Sequence, residues 1–118
     1  MPADPPGLSD PEDAKLVTLA RSSRARTRAA EGACVRDQDG RTYAGATVAL
    51  PSLEVSALGV CVAMAVSSGS RGLEAAVVLS DNASVSPLDL EVLRDFGGPG
   101  VVVHVGDPRG TIASTTAT

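Results

Sequence analysis

The sequence predicts an α/β sandwich in which helices cover both faces of one mixed sheet, with the elements in the order α-β-β-α-β-α-β. Three observations favour this fold class. The chain has 118 residues, 43% hydrophobic content and a net charge of −4, which suits one folded domain rather than a disordered chain. A hairpin turn comes early, and two later apolar strands are separated by a helical segment. With one Tyr, one Phe and no Trp, the core must consist of aliphatic side chains.

The folded domain is expected to span residues 9–106, between two segments without a predicted element. Residues 1–8 are interpreted as a flexible arm, because Pro2, Pro5 and Pro6 lie among them and apolar content is low. Residues 107–118 are interpreted as a turn followed by a flexible tail rich in Ser and Thr.

The first helix is predicted to begin at Ser9 or Asp10. Asp10 can accept hydrogen bonds from the free amide groups of the first turn, and Pro11 suits the first helical position. Acidic residues follow at the start and arginines at the end, an order that the helix dipole favours. The arginines on one helical face are Arg21, Arg24 and Arg28.

An antiparallel hairpin and a second helix are predicted next. Short β-type runs at 33–36 and 42–48 flank the turn Asp37–Gly40, whose glycine can take a positive φ. The second helix is predicted to run from a Ser52 cap to about Ser68. It is apolar on nearly all sides, so we expect one face to cover the sheet and another to contact a partner subunit.

A buried strand, a short helix and a final strand complete the predicted order. The strand covers Leu73–Ser80, and Ser86 with Pro87 begins a helix that ends near Phe96. The final strand covers Val101–Val105. Two strands joined through a helix favour parallel pairing, which makes the sheet mixed.

Composition also limits the classes of function. Cys34, Cys61 and His104 are the only soft or borderline metal ligands, fewer than the four that a closed structural zinc site needs. The two cysteines do not suggest a disulfide framework, and neither a signal-type segment nor an apolar run of membrane length is present. We therefore expect a cytoplasmic protein with no membrane partner. The scarcity of aromatic rings disfavours a module that binds nucleic acid by base stacking.

The order of elements and four short motifs resemble those of the small cytidine deaminases, including small actinobacterial proteins that carry this label. The resemblance covers about residues 10 to 105. Its motifs lie before the hairpin, through the hairpin turn, at the end of the second helix and in the third helix. They read Gly32-Ala33, Asp39-Gly40-Arg41-Thr42-Tyr43-Ala44-Gly45, Ala63-Met64-Ala65-Val66-Ser67-Ser68-Gly69 and Val92-Leu93-Arg94-Asp95-Phe96. The resemblance implies the three-layer cytidine deaminase fold and a homo-oligomer.

The resemblance also identifies where catalytic residues would stand. Zinc deaminases hold Zn²⁺ with a His or Cys at the start of one helix and with the two cysteines of a P-C-x-x-C motif at the start of the next. A glutamate two residues after the first ligand moves protons between the zinc-bound water and the base. In this sequence the first-ligand position falls on Ser56 and the glutamate position on Leu58.

The remaining motifs of the family site are also replaced. The P-C-x-x-C motif falls on residues 87–91, which places Leu88 and Glu91 at the two cysteine positions. An alignment anchored instead on residues 92–96 also finds no cysteine there. The N-x-E motif that binds ribose in the family falls on residues 47–49, with Thr47 and Ala49 at its two functional positions.

These replacements predict a cytidine deaminase-like protein without zinc, without another cofactor and without catalysis. We expect Leu58 and Leu88 to be core residues that close the former site. The scaffold motifs persist, so the chain is predicted to serve as an oligomeric binding or scaffold module, as a dimer or tetramer, with a possible protein partner.

Two alternative functions are kept open. One is a nucleoside deaminase that uses a non-standard site. The other is an RNA-associated accessory protein that binds through Arg21, Arg24 and Arg28, although a net acidic chain disfavours a nucleic-acid partner.

Other chemistry-bearing residues are assigned structural roles. His104 is interpreted as a hydrogen-bonded strand residue, and Cys34 and Cys61 as small buried hydrophobic residues. Glu54 is expected in the first turn of the second helix, where the dipole favours it, and Glu91 on a solvated helix face.

Overall fold

The computed structural model describes residue 8 and residues 10–118, which form three helices, a five-stranded sheet and a separate hairpin. In chain order the elements are α1 (Pro11–Thr27), β1 (Glu31–Asp37), β2 (Thr42–Ala46), β3 (Val48–Leu50), β4 (Leu53–Val55), α2 (Ala57–Ser67), β5 (Leu73–Ser80), α3 (Pro87–Gly97), β6 (Val102–Gly106) and β7 (Ile112–Ala117). Helix α1 begins as predicted, with Asp10 as its cap and Pro11 at its first position.

The five-stranded sheet has the order β2-β1-β5-β6-β7. Strands β5 and β6 are parallel and are joined through α3, whereas the other neighbouring pairs are antiparallel. The mixed sheet predicted from the sequence is therefore confirmed.

The two faces of the sheet bury different helices. Along β5, Ala75, Val77 and Leu79 belong to a core with α1, whereas Ala76 and Val78 belong to a core with α2 and α3. Alternate side chains of a strand point to opposite faces, so helices cover the sheet on both sides. The predicted α/β sandwich with an aliphatic core is confirmed.

Two glycines on neighbouring strands allow these helices to approach the sheet closely. A Cβ atom at Gly32 would lie 2.3 Å from the carbonyl oxygen of Ala20 in α1. A Cβ atom at Gly45 would lie 2.8 Å from Cγ1 of Val60 in α2. A side chain at either position would therefore push a helix away from the sheet.

The predicted hairpin between β1 and β2 is organised by the carboxylate of Asp37. Its Oδ1 accepts hydrogen bonds from the amides of Asp39 and Arg41, both at 2.9 Å, and its Oδ2 accepts one from the hydroxyl of Ser70. Burial by itself raises the pKa of Asp37, but these hydrogen bonds outweigh it and hold the pKa below its ordinary value of 3.8. Gly40 takes a φ of 86° in this turn.

The predicted start of the second helix at Ser52 is wrong. Pro51 and Ser52 form the turn of the β3–β4 hairpin, in which Leu50 pairs with Leu53. Helix α2 begins later, with Ser56 as its cap. Proline and serine favour both tight turns and helix starts, so local sequence did not separate the two. Glu54 consequently lies in β4, not in the first turn of the helix.

The predicted flexible tail at residues 107–118 is also corrected, because Ile112–Ala117 form β7 at the edge of the sheet. Ile112 is the buried side chain of this strand and the others are small and exposed, so its sequence has the composition of a tail, whereas its backbone pairs with β6. The predicted N-terminal arm lies outside the described residues except for Leu8, which is buried in the core beneath α1. The alternative helix start at Ser9 also lies outside them.

None of the helices in the described part of the chain has both the length and the apolar character that crossing a membrane requires.

Candidate functional site

The starts of α2 and α3, where the family resemblance places the metal ligands, contact each other through Ser56 and Asp89. Ser56 Oγ accepts a hydrogen bond from the amide of Gly59 at 3.0 Å, which caps α2, and donates one to Asp89 Oδ1 at 2.6 Å. Asp89 is buried, and its own amide donates to Ser86 Oγ at 3.1 Å. The Ser56 hydroxyl and one carboxylate oxygen of Asp89 thus connect the two helix starts.

Asp89 is a site residue that the sequence analysis missed. The residue stands three positions after Ser86, and a serine followed three residues later by an acidic residue is a signal for a helix start. That signal was available in the sequence. The sequence did not indicate the partner of the Asp89 carboxylate, because Ser56 lies 33 residues earlier in the chain.

The two leucines expected to close the site lie in different environments. Leu58 is fully buried in the core between α2, α3 and the sheet, as expected. Leu88 is 66% exposed, so its assignment to the core is wrong. The first turn of α3 turns Asp89 toward α2 and leaves the preceding residue in solvent. Glu91 is exposed on α3, as expected for a solvated helix face.

A second carboxylate, that of Glu31 in β1, lies against the start of α2. Its Oε1 accepts hydrogen bonds from the amide of Ala57 at 3.3 Å and from the hydroxyl of Thr47 at 3.5 Å. The amide of Glu31 in turn donates to Thr47 Oγ1 at 2.9 Å. A negative charge at this position is stabilised by the free amides of the helix N-terminus. Of the two residues at the N-x-E positions, Thr47 therefore belongs to this cluster, whereas Ala49 is exposed on β3.

An open cleft of about 380 Å³ lies beside Glu31. It is lined by Ala30, Glu31, Ser80, Asp81 and Asn82. The cleft carries two carboxylates and no basic side chain in its lining, so among the described residues it is an acidic surface.

The donor set at the helix starts does not fit zinc. Zinc sites use at least three nitrogen, sulfur or carboxylate ligands from the protein, whereas the helix starts offer the carboxylates of Asp89 and Glu31, one hydroxyl, and no His or Cys. Within residue 8 and residues 10–118, no three His, Cys, Asp or Glu side chains are grouped so that they could hold a metal ion.

The two cysteines are buried and unreactive. Burial raises the pKa of the Cys34 thiol to about 12, and burial also raises the pKa of the Cys61 thiol far above its usual range. Both therefore remain thiols at neutral pH, in agreement with their predicted role as small hydrophobic residues.

His104 lies on the α1 face of the sheet, where it joins a chain of buried polar groups. Its Nε2 is 2.8 Å from Asp13 Oδ2, and its Nδ1 is 2.9 Å from Thr115 Oγ1. Asp13 Oδ1 accepts a hydrogen bond from Arg36 Nη1 at 2.8 Å, and Arg36 Nε donates to Glu74 Oε1 at 3.0 Å. His104 is thus a hydrogen-bonded strand residue, as expected from the sequence.

The pKa of Asp13 is set by this network. Burial by itself raises the pKa, but the hydrogen bonds from His104 and Arg36 outweigh it and lower the pKa below its ordinary value of 3.8. The carboxylate consequently carries its charge in the folded protein at neutral pH and links α1 to β1 and β6.

The structure separates the three arginines that the sequence placed on one face of α1. Arg21 and Arg24 line a cleft together with Arg109 from the β6–β7 turn. Arg28 is the C-cap of α1 and does not line that cleft. Sequence reasoning missed Arg109 because it lies 81 residues after Arg28 and was assigned to a turn without a function.

Solved structures of cytidine deaminases resemble this fold. The Mycobacterium leprae enzyme matches with a TM-score of 0.71 and 21% identity, covering 92% of this chain and 94% of the other. The Burkholderia pseudomallei enzyme matches with a TM-score of 0.74 and 19% identity, covering 88% and 89%. The Mycobacterium tuberculosis enzyme matches with a TM-score of 0.70 and 24% identity, covering 80% and 85%. At these identities the likeness shows the fold alone.

Family membership is decided by the sequence. A search of curated proteins found no significant match to this chain. The profile of the family described as "Cytidine deaminase-like" matches residues 9–110. This match spans most of the chain, α1 through the β6–β7 turn, and agrees with the sheet topology. The chain therefore belongs to the cytidine deaminase-like family.

Proposed function

We propose that this chain is a non-catalytic member of its family and serves as an oligomeric binding or scaffold module. The observation that carries the proposal is the 2.6 Å hydrogen bond between Ser56 Oγ and Asp89 Oδ1. It connects the two helix starts at which zinc deaminases hold their metal. The bond engages the Ser56 hydroxyl and one carboxylate oxygen of Asp89 at this position, and neither residue supplies the imidazole or thiolate ligands that zinc deaminases use.

The proton carrier of the deamination reaction is also replaced. Deamination requires a carboxylate that transfers a proton from the zinc-bound water to the base. Leu58 occupies the corresponding position, is fully buried, and has a hydrocarbon side chain that transfers no proton. The buried carboxyl group nearby, that of Asp89, is held by the Ser56 hydroxyl.

The proposed oligomer is supported by the distribution of exposed apolar side chains. Among the described residues, four large hydrophobic side chains are more than half exposed: Val66 on α2, Leu50 and Leu53 on the β3–β4 hairpin, and Leu88 on α3. All four belong to α2, to α3 or to the hairpin that leads into α2, and none belongs to α1. Exposed large apolar side chains are typical of an interface when they lie together on the surface. We propose that a second copy of this chain covers them.

Metal content and activity test the loss of catalysis. The chain is purified without chelators, its zinc is measured by plasma mass spectrometry, and conversion of cytidine to uridine is followed spectrophotometrically, with the Mycobacterium tuberculosis cytidine deaminase as positive control. We expect zinc far below one ion per chain and no uridine. Stoichiometric zinc whose removal by a chelator abolishes deamination would refute the proposal and establish a deaminase with a non-standard site.

Variants at the helix starts refine this test. In a working metal site Ser56→Ala and Asp89→Ala would remove zinc and activity together, whereas here we expect both variants to leave the zinc content and the absence of uridine unchanged. A loss of bound metal in either variant would count against the proposal.

Sedimentation equilibrium tests the oligomer separately. We expect Leu53→Lys and Val66→Lys to shift the protein toward the monomer, because each places a charge in the proposed interface. Ala113→Lys is the matched control, since it adds the same charge at an exposed position on β7. Strand β7 lies at the edge of the five-stranded sheet and is not part of the proposed interface. A wild-type monomer at all concentrations, or an oligomer weakened equally by Ala113→Lys, would contradict the proposed interface.

A further inference from the structure

The cleft between α1 and the β6–β7 turn is distinct from the helix starts that hold Ser56 and Asp89. It has a volume of about 400 Å³. Its lining comes from two elements that are far apart in the sequence: Thr18, Arg21, Ser22, Arg24 and Ala25 from α1, and Pro108 and Arg109 from the turn. Three of these side chains are arginines, in a chain whose net charge is −4.

The turn is packed against the helix, so the cleft has fixed walls. Gly110 has a φ of 92°, and a Cβ atom there would lie 2.7 Å from Cδ of Arg21 and 3.0 Å from Cγ1 of Val17. Asp107 Oδ1 accepts hydrogen bonds from the amides of Arg109 and Thr111, at 2.9 and 3.1 Å, which fix the conformation of the turn. Arg109 therefore lines the cleft from a turn that packs against α1 and is held by two hydrogen bonds.

The guanidinium groups of the cleft are only loosely paired with carboxylates. Arg24 is paired through Nη2 with Asp81 at 3.7 Å, but the Asp81 side chain is 87% exposed, and Arg24 Nε is buried without a hydrogen-bond partner. Arg109 is paired with Asp107 at 3.9 Å. Within the described part of the chain, Arg21 has no ion pair and no carboxylate lines the cleft. Arg24 is therefore incompletely hydrogen-bonded, and the three guanidinium groups give the cleft a positive charge that favours an anion.

We propose that this cleft binds a small phosphorylated molecule, with Arg21, Arg24 and Arg109 holding its phosphate or diphosphate group. Guanidinium groups match phosphoryl oxygens with paired, charge-assisted hydrogen bonds. Thr18 and Ser22 add hydroxyl donors at the same wall. The concave shape and the volume suit a compact anion. An extended RNA backbone would use the whole arginine face of α1, but Arg28 lies outside the cleft.

Calorimetric titration with pyrophosphate tests the proposal at low ionic strength. We expect the wild type to bind pyrophosphate, and Arg24→Gln and Arg109→Gln each to weaken binding about tenfold or more, since each removes a charge-assisted contact. Arg28→Gln is the matched control on the same helix, and we expect its affinity to stay within about twofold of the wild type. Arg109 is 89% exposed, so its variant keeps the test valid even if Arg24→Gln reduces folding.

Several outcomes would overturn the proposal. Absence of binding at millimolar pyrophosphate would do so, as would an unchanged affinity in Arg109→Gln. A titration with single-stranded RNA forms a second arm. If RNA binds and pyrophosphate does not, or if Arg28→Gln weakens binding as much as Arg24→Gln, the arginines act as an extended electrostatic surface and the cleft is not a site.

Discussion

The two faces of the sheet are stabilised in different ways. On the α1 face, Thr115, His104, Asp13, Arg36 and Glu74 form one continuous chain of hydrogen bonds, most of it buried. On the face covered by α2 and α3 the fully buried core is aliphatic apart from the Cys61 thiol, with Tyr43 and Phe96 packed against it. The polar contact between the helix starts is a single hydroxyl–carboxylate bond.

The extended ionic network therefore lies on the face opposite the helix starts, and the helix starts themselves hold one buried carboxylate, that of Asp89. The family resemblance places catalysis on the α2 and α3 face, where Leu58 now fills the core. The buried ionic network on the opposite face ties a helix to two strands and borders none of the clefts described above. Buried ion pairs can serve structure alone, so the presence of His104 and Asp13 does not by itself indicate chemistry.

The largest expected effect comes from placing a carboxylate in the aliphatic core between α2, α3 and the sheet. Leu58→Glu should lower the free energy of unfolding by at least about 4 kcal/mol, because the position is fully buried and offers the new carboxyl group no designed partner. Urea unfolding measures the change. Leu58→Met is the control, with an expected loss below about 1.5 kcal/mol. A Leu58→Glu protein as stable as the wild type would show that the surroundings of Leu58 form an open polar pocket and would remove the contrast between the faces.

The next largest loss of stability is expected from breaking the ionic network on the α1 face. Asp13→Ala should cost about 3 kcal/mol, because it leaves Arg36 and His104 largely buried without their shared carboxylate. The control is Lys15→Ala on the same helix, whose side chain is 61% exposed and whose ion pair with Glu12 should contribute no more than about 0.5 kcal/mol. Equal effects of the two substitutions in thermal or urea unfolding would mean that the network adds nothing to stability.

A smaller effect is expected for the bond between the helix starts. Ser56→Ala should cost about 1.5 kcal/mol, because it removes the cap of α2 and the donor to Asp89. A double-mutant cycle with Asp89→Ala isolates the contact, and we expect a coupling of about 1 kcal/mol. A coupling near zero would show that the two groups are neighbours without a stabilising interaction, which would also weaken the proposal that they close the site.

The smallest expected effect is a loss of stability at acidic pH. Because the pKa values of Asp13 and Asp37 in the folded protein lie below the ordinary value of 3.8, their contribution to stability is complete above that value and is lost as the pH falls through the folded pKa. Stability should therefore decline below about pH 4. The decline should be shallower in Asp13→Asn, since that side chain no longer titrates. Identical pH profiles for the two proteins would place the acid sensitivity elsewhere in the chain.

Most of the fold was predictable because its signals are local. The cap at Asp10, the turn at Asp37–Gly40 and the apolar run at Leu73–Ser80 each identified an element from a few neighbouring residues. Where two structures share one local signal, prediction failed: Pro51 and Ser52 suited a helix start and a hairpin turn equally. Strand β7 was not predicted, because it is held by backbone hydrogen bonds to β6. An exposed sequence of small Ser and Thr residues carries no hydrophobic pattern that would indicate this pairing.

The sequence by itself determined the aliphatic core, the mixed sheet and the absence of cysteine and glutamate at the positions where the family resemblance expects them. Only the tertiary structure decided that Ser56 bonds to Asp89, that Leu88 faces solvent while Leu58 is buried, and that Arg109 joins Arg21 and Arg24 at one cleft. The reason is physical. Hydrophobic periodicity and helix or turn signals depend on a few neighbouring residues. A contact between side chains 33 or more positions apart depends instead on how the helices pack across the sheet.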